Sequence, residues 1–156
     1  MSEHKEEEAF ETFVDIIAKL RGENGCPWDK EQTFESLKPC MVNEMTEAIA
    51  GIDLYRKSGN AENLCEELGD VLMQVVLLSQ IAREKGLFDI TDVIKGISEK
   101  MIRRHPHVFG APGTEVPDWE AIKQQEKQQR SRELEQAEKA AFRAAAGQII
   151  CHLSER

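Results

Sequence analysis

Two acid pairs constrain this chain more than any other feature. Glu44 and Glu47 are three residues apart, nineteen residues intervene, and Glu67 and Asp70 repeat the spacing. Residues three apart share a helix face, so each pair presents two carboxylates on one side if its segment is helical. The interval lets a first helix end, turn and return antiparallel, which brings four carboxylates together. Four such charges repel strongly unless a positive charge lies among them. A hard divalent cation, Mg²⁺ foremost, meets that need.

Spacing alone does not carry the argument, because 29 acids in 156 residues make several such pairs by chance. Glu8 and Glu11, in a polar N-terminus, are one of them. The two central pairs differ in setting. The stripe through Glu67 and Asp70 continues to Gln74, Leu77 and Leu78, and that through Glu44 and Glu47 joins Cys40 and Met41 to Ala48, Gly51 and Leu54. Acids on inward stripes need partners. The alternative places them at the edge of an amphipathic face, against solvent or Lys and Arg, and the residues by themselves leave both open.

Helical periodicity runs through the rest of the chain. Residues 8–21 place Phe10, Phe13, Ile16, Ile17 and Leu20 on one face. The stretch Arg21-Gly-Glu-Asn-Gly-Cys-Pro-Trp-Asp29 breaks the pattern as a loop, with Trp28 expected to plug it onto the core. Asp29 with Gln32, or Thr33 alone, is a candidate cap. Pro39 suits the first turn of a helix reaching about Arg56, and Ser58-Gly59-Asn60 reads as a turn. A third helix, from about Ala61 to Lys85, is the most apolar and stops at Gly86. It reads as the middle of a bundle, or its extra apolar face as a subunit contact. Residues 90–104 form a fourth helix that Pro106 ends. A Gly- and Pro-rich loop covers 110–118, and another helix begins near Asp118. From about Lys123 to Ala140 the chain is polar and reads as a solvated helix. The end turns apolar again through Phe142, Ile149, Ile150 and Leu153, and folding back, packing on a partner and fraying all remain open.

No segment alternates as a strand would. The fold class is therefore all-α: an antiparallel bundle of four to five helices over residues 1–122, with a polar C-terminal helical tail over 123–156. The net charge of −9 argues against binding polymeric nucleic acid. The longest apolar run, Val71 to Leu78, contains Gln74 and is too short to span a membrane. With no basic-then-apolar leader and no Cys-x-x-Cys spacing, a cytoplasmic protein with reduced thiols is expected.

If the carboxylates hold a metal, a phosphate-bearing ligand is the natural guest. Lys100, Arg103 and Arg104 lie near the end of the fourth helix, with Lys100 and Arg104 four apart on one face. They would neutralise phosphate, or simply be the charged end of an amphipathic helix. Trp119 and Lys123 are also four apart, an aromatic plate beside a cation. His105-Pro-His107 lacks the further His or Cys that zinc wants, and reads as loop structure or as a contact to ligand phosphate.

Gly25-Cys-Pro-Trp-Asp29, Glu44-x-x-Glu47, Glu67-Leu-Gly-Asp70, Arg103-Arg-His-Pro-His-Val-Phe-Gly110 and Trp119-x-x-x-Lys123, in that order, resemble the MazG family of nucleoside triphosphate pyrophosphohydrolases over roughly residues 8–126. The resemblance implies a helical bundle that dimerises, and hydrolysis of NTPs or dNTPs to monophosphate and pyrophosphate with Mg²⁺, or Mn²⁺ in its place. It puts Glu44, Glu47, Glu67 and Asp70 on the metal-binding, catalytic acids, and Lys100, Arg104, Trp119 and Lys123 on nucleotide-binding positions. One departure stands out. The family usually has two adjacent acids at the first motif, and here the first is Asn43, which carries no charge. A nucleotide-binding dimer that is slow or inactive is the alternative implied, and specialisation for particular or modified nucleotides is another.

Overall fold

The computed structural model describes residues 3–128 and 131–155. Positions 129 and 130, inside the expected tail helix, lie outside the described residues. By packing, the chain divides into two units, Met1–Ile90 and Thr91–Arg156. All regular elements among the described residues are helices: α1 (Glu3–Arg21), α2 (Pro27–Glu31), α3 (Lys38–Ser58), α4 (Glu62–Glu84), α5 (Ile90–Arg104), α6 (Pro106–Phe109), α7 (Trp119–Gln128) and α8 (Arg132–Ser154). The all-α class is as expected.

The first unit is organised around α4, which packs on both α3 and α1. Its buried face carries Val76, Leu77 and Ile81, which join Ile17 of α1 and Leu37 just before α3. Leu37, Val76 and Ile81 are the largest side chains fully removed from solvent, and each contributes on the order of 1.5–3 kcal/mol through burial. The helix also buries two polar residues. Ser79 returns its hydroxyl to the Val75 carbonyl. Gln74, only 4% exposed, leaves its side-chain oxygen without a hydrogen-bond partner among the described residues.

α3 starts with Pro39 in its first turn, where the missing N–H costs nothing. It ends at Gly59, whose φ of 73° lets its N–H reach the Tyr55 carbonyl. The return to α4 follows at once, so the two helices form an antiparallel hairpin. Gly51 sets its closeness. A Cβ there would stand 3.2 Å from the Leu64 Cα and 3.1 Å from the Asn63 Oδ1.

Two local features differ from the sequence expectation. α1 begins at Glu3, several residues before the apolar stripe does. Glu6, Glu7 and Glu8 explain this, because carboxylates in the first turns suit the positive end of the helix dipole. Trp28 is no plug. It is 58% exposed on the short helix α2. Arg21 pins the loop instead, with a side chain only 7% exposed. Its Nη1 donates to the carbonyls of Asp29 and Gln32, while Nε and Nη2 donate to the two Glu84 oxygens at 2.8 and 2.6 Å. Of the capping candidates, Thr33 is used. Its hydroxyl accepts from the Ser36 N–H, and the Ser36 hydroxyl accepts from the Thr33 N–H.

In the second unit, α5 spans the expected residues and Pro106 begins the separate turn α6. Asp118 caps α7 by accepting the Glu120 N–H at 2.9 Å. Ser131 caps α8 by accepting the Leu134 N–H. No residue of α8 is buried, and Phe142 is 76% exposed.

Candidate active site

The register of the α3–α4 hairpin builds the acidic group. With Gly51 against Asn63 and Leu64, seven residues back along α3 is Glu44, and seven forward along α4 is Asp70 or Val71. Two turns of helix take equal lengths of both chains, so Glu44 comes opposite Asp70. Glu67 lies one turn nearer the hairpin end. One carboxylate oxygen from each of Glu44, Glu67 and Asp70 lies within 4.8 Å of the other two, and all three residues are half-buried. Glu47 stands outside this trio and is exposed.

The donor set fits a divalent cation. Oxygens around one such ion stand up to about 4–5 Å apart across it, the span found here. Three carboxylates in partial burial repel one another, and a hard cation is the group whose charge and ligand preference answer that. Glu67 is oriented by Asn63, whose Nδ2 donates to Oε1 at 2.9 Å. Asn63 was not singled out from the sequence. Its position four residues before Glu67 on a helix is a weak signal for such a pair. Gln74 lies one turn beyond Asp70 on the inward stripe, so the polar face continues into the core.

The second unit carries all four expected nucleotide-binding residues and brings two of them, Arg104 and Trp119, into contact. The Arg104 guanidinium sits 5.6 Å from the centre of the Trp119 ring, a cation–π distance. The His105 ring meets the same indole edge-on at 5.1 Å, and its Nδ1 donates to the Met101 carbonyl at 2.6 Å. The His107 ring is 5.7 Å from that of His105. Lys123 reaches Glu120 only loosely, at 3.4 Å, and Lys100 is half-buried one turn before Arg104. Trp119 thus stacks on a cation of its own chain while keeping part of its ring in solvent.

The strongest ionic group in this unit involves a residue that sequence reasoning passed over. Glu126 of α7 accepts from Arg103 Nε and Nη2 at 3.0 and 2.8 Å. It also accepts from Arg104 Nη2 at 2.6 Å and from Arg104 Nε at 3.2–3.3 Å. These bonds, first from Arg104 and then from Arg103, pull the Glu126 carboxyl down to about 2. The same contact raises the Arg104 pKa further. Nothing in the local sequence marks Glu126 among the many acids of the tail, because the pairing spans 22 residues.

The first unit holds an α-helical hairpin whose three carboxylates could take a divalent ion, and the second unit holds a cluster of basic and aromatic side chains. Residues 32–109, half of the chain, match the MazG nucleotide pyrophosphohydrolase domain, and the chain belongs to that family. It is 55% identical over 119 residues to the nucleoside triphosphate pyrophosphohydrolase/pyrophosphatase MazG of Thermotoga maritima, a match covering 76% of this chain and 45% of that protein. It is 42% identical over 125 residues to the nucleoside triphosphate pyrophosphohydrolase of Escherichia coli, covering 76% and 46%. It is 51% identical over 123 residues to the uncharacterized protein YabN of Bacillus subtilis, covering 76% and 24%. The chain therefore spans less than half the length of these relatives. No helix among the described residues is long and apolar enough to cross a membrane.

Proposed function

We propose that this protein hydrolyses nucleoside triphosphates, ribo or deoxyribo, to the monophosphate and pyrophosphate, in the cytoplasm, with Mg²⁺ as its metal and Mn²⁺ as a substitute. The observation that carries the reading is the convergence of Glu44, Glu67 and Asp70 within 4.8 Å in a chain of this family. These three would hold the metal, with exposed Glu47 one turn away on the same helix. When bound, the metal supplies positive charge that offsets the carboxylates and polarises the phosphoryl oxygens. Asn63 holds Glu67 in place for that task.

The substrate's remaining charge falls to Lys100 and Arg104, which stabilise the leaving pyrophosphate. Trp119 offers its exposed ring to the base or ribose, and Lys123 reaches phosphate. A water oxygen attacks the α-phosphorus, and the bond to the bridging oxygen of pyrophosphate breaks. No covalent intermediate on the protein is needed. Residues 1–122 carry the catalytic bundle, and 123–156 are an accessory tail.

The working form is a homodimer. Met41, Met45, Ile49 and Ile52 form an exposed apolar stripe along α3, and Leu68 and Leu72 form another on α4. Paired stripes of this extent in one compact unit support burial against a second copy.

A second reading, nucleotide binding without turnover, is favoured by Asn43 in place of the family's usual acid. A pyrophosphate-release assay with Mg²⁺ and the common NTPs and dNTPs separates the two. Release by the parent, abolished in Glu67→Ala, supports hydrolysis. Thermal stabilisation by nucleotide with no release, and large gain in Asn43→Glu, supports the second reading. No release by either protein with any nucleotide overturns the first.

A further inference from the structure

Glu126 occupies the side chains that the proposed reaction assigns to phosphate. One carboxylate takes the Nε and Nη2 donors of both Arg103 and Arg104, at 2.6 to 3.3 Å. That edge of a guanidinium is also the one that binds two phosphate oxygens. The Trp119 ring sits 5.6 Å from the same guanidinium, while Glu126 holds its Nε–Nη2 edge. The side chains of Arg104 and Glu126 are both mostly buried, at 14% and 21% exposure.

We propose that Glu126 is an internal competitor for the nucleotide's phosphates, an acidic latch that closes the Arg103–Arg104 fork until a more highly charged anion displaces it. The proposal rests on the reading of Arg104 as a phosphate-binding group. The charges favour exchange. Two guanidinium cations face a single carboxylate charge, so the fork keeps a net positive charge that a polyphosphate meets more fully. Residue 126 lies beyond the 32–109 segment that the family model covers. A different role would be to hold Arg104 in its productive pose, and the two roles predict opposite effects on affinity.

The test is calorimetric titration of the full chain with inorganic tripolyphosphate, without metal, for the parent, Glu126→Gln, Arg104→Gln and the double variant. The amide keeps the size of the side chain and removes its charge. Expected are a Kd about three- to tenfold lower for Glu126→Gln, a higher Kd for Arg104→Gln, and no gain from Glu126→Gln in the Arg104→Gln background. If Arg104→Gln binds as tightly as the parent, the phosphate role of Arg104 is wrong and the latch falls with it. If Arg104→Gln weakens binding but Glu126→Gln leaves it unchanged or weaker, the latch alone is overturned. A measurement on the parent avoids any dependence on variant folding. The Glu126 carboxyl carbon, followed by NMR, should move toward the signal of a solvated carboxylate as tripolyphosphate is added, and an unmoved signal at saturation overturns the proposal.

Discussion

Removing one carboxylate from the trio changes a balance of charge held at close range. Glu67→Ala takes away a ligand and also strands the Asn63 amide that donates to it. Its cost in activity should exceed the roughly 10–100-fold typical of losing an outer partner of a metal site. Asn63→Leu should fall within that range, read as a weaker apparent affinity for Mg²⁺ with the pyrophosphate assay otherwise intact. Glu47→Ala should cost less than either, since Glu47 lies outside the trio. An equal loss at Glu47 and Glu67 would show that all four acids share the ion.

Glu126 gives a second expectation for a single side chain. Its carboxyl is held down to about 2 by Arg104 and Arg103, against an ordinary value near 4.5. A folded pKa below the unfolded one means the stabilisation is fully present above about pH 4.5, and is lost as pH falls through 4.5 toward 2. Glu84, lowered chiefly by its bonds from Arg21, acts in the same direction in the first unit. Acid unfolding should therefore be measurable across that window by circular dichroism. In Glu126→Gln the part belonging to the second unit should shrink, leaving the contribution of Glu135, which its bond from Lys139 holds below the usual carboxylate range.

Among the elements, the α3–α4 hairpin depends on one absent side chain. Gly51→Val would press a branched side chain against the Leu64 backbone, where a single Cβ already comes to 3.2 Å. The helices would move apart or shift register, at a cost of about 1–3 kcal/mol. Because the same register aligns Glu44 with Asp70, metal affinity should fall together with melting temperature. A loss of stability with unchanged Mg²⁺ affinity would show that the trio is not aligned by this contact. The α1–α2 loop depends on Arg21. Arg21→Ala should take the side-chain donor from the Gln32 carbonyl, leave the Asp29 carbonyl only the Gln32 N–H, and destabilise by about 1–3 kcal/mol, seen as a lower denaturant midpoint.

At the level of the whole molecule, the apolar stripes on α3 and α4 bear on assembly. Light scattering should give about twice the 17.7 kDa chain mass, and Ile49→Glu with Leu72→Glu should give the monomer. A monomeric parent would remove the homodimer from the proposed function. The net charge of −9 is consistent with small anions being bound through local cations rather than an overall field.

The helices were legible in the sequence because the information that makes a helix is local. The stripe Phe10 to Leu20, Pro39 at a first turn, Gly59 and Gly86 after last turns and Pro106 beyond Arg104 each act within a few residues of where they stand. The acid pairs were legible for the same reason, since their spacing of three is one helical step. Tertiary structure decided the rest. It brought carboxylate oxygens of Glu44, Glu67 and Asp70 within 4.8 Å of one another, a convergence that depends on where Gly51 meets Leu64. It left Trp28 in solvent and gave the loop to Arg21, whose partner Glu84 is 63 residues away. It brought Glu126 onto Arg103 and Arg104 across more than twenty residues. Local propensity carries no record of such pairings, which arise only when helices pack and distant side chains meet.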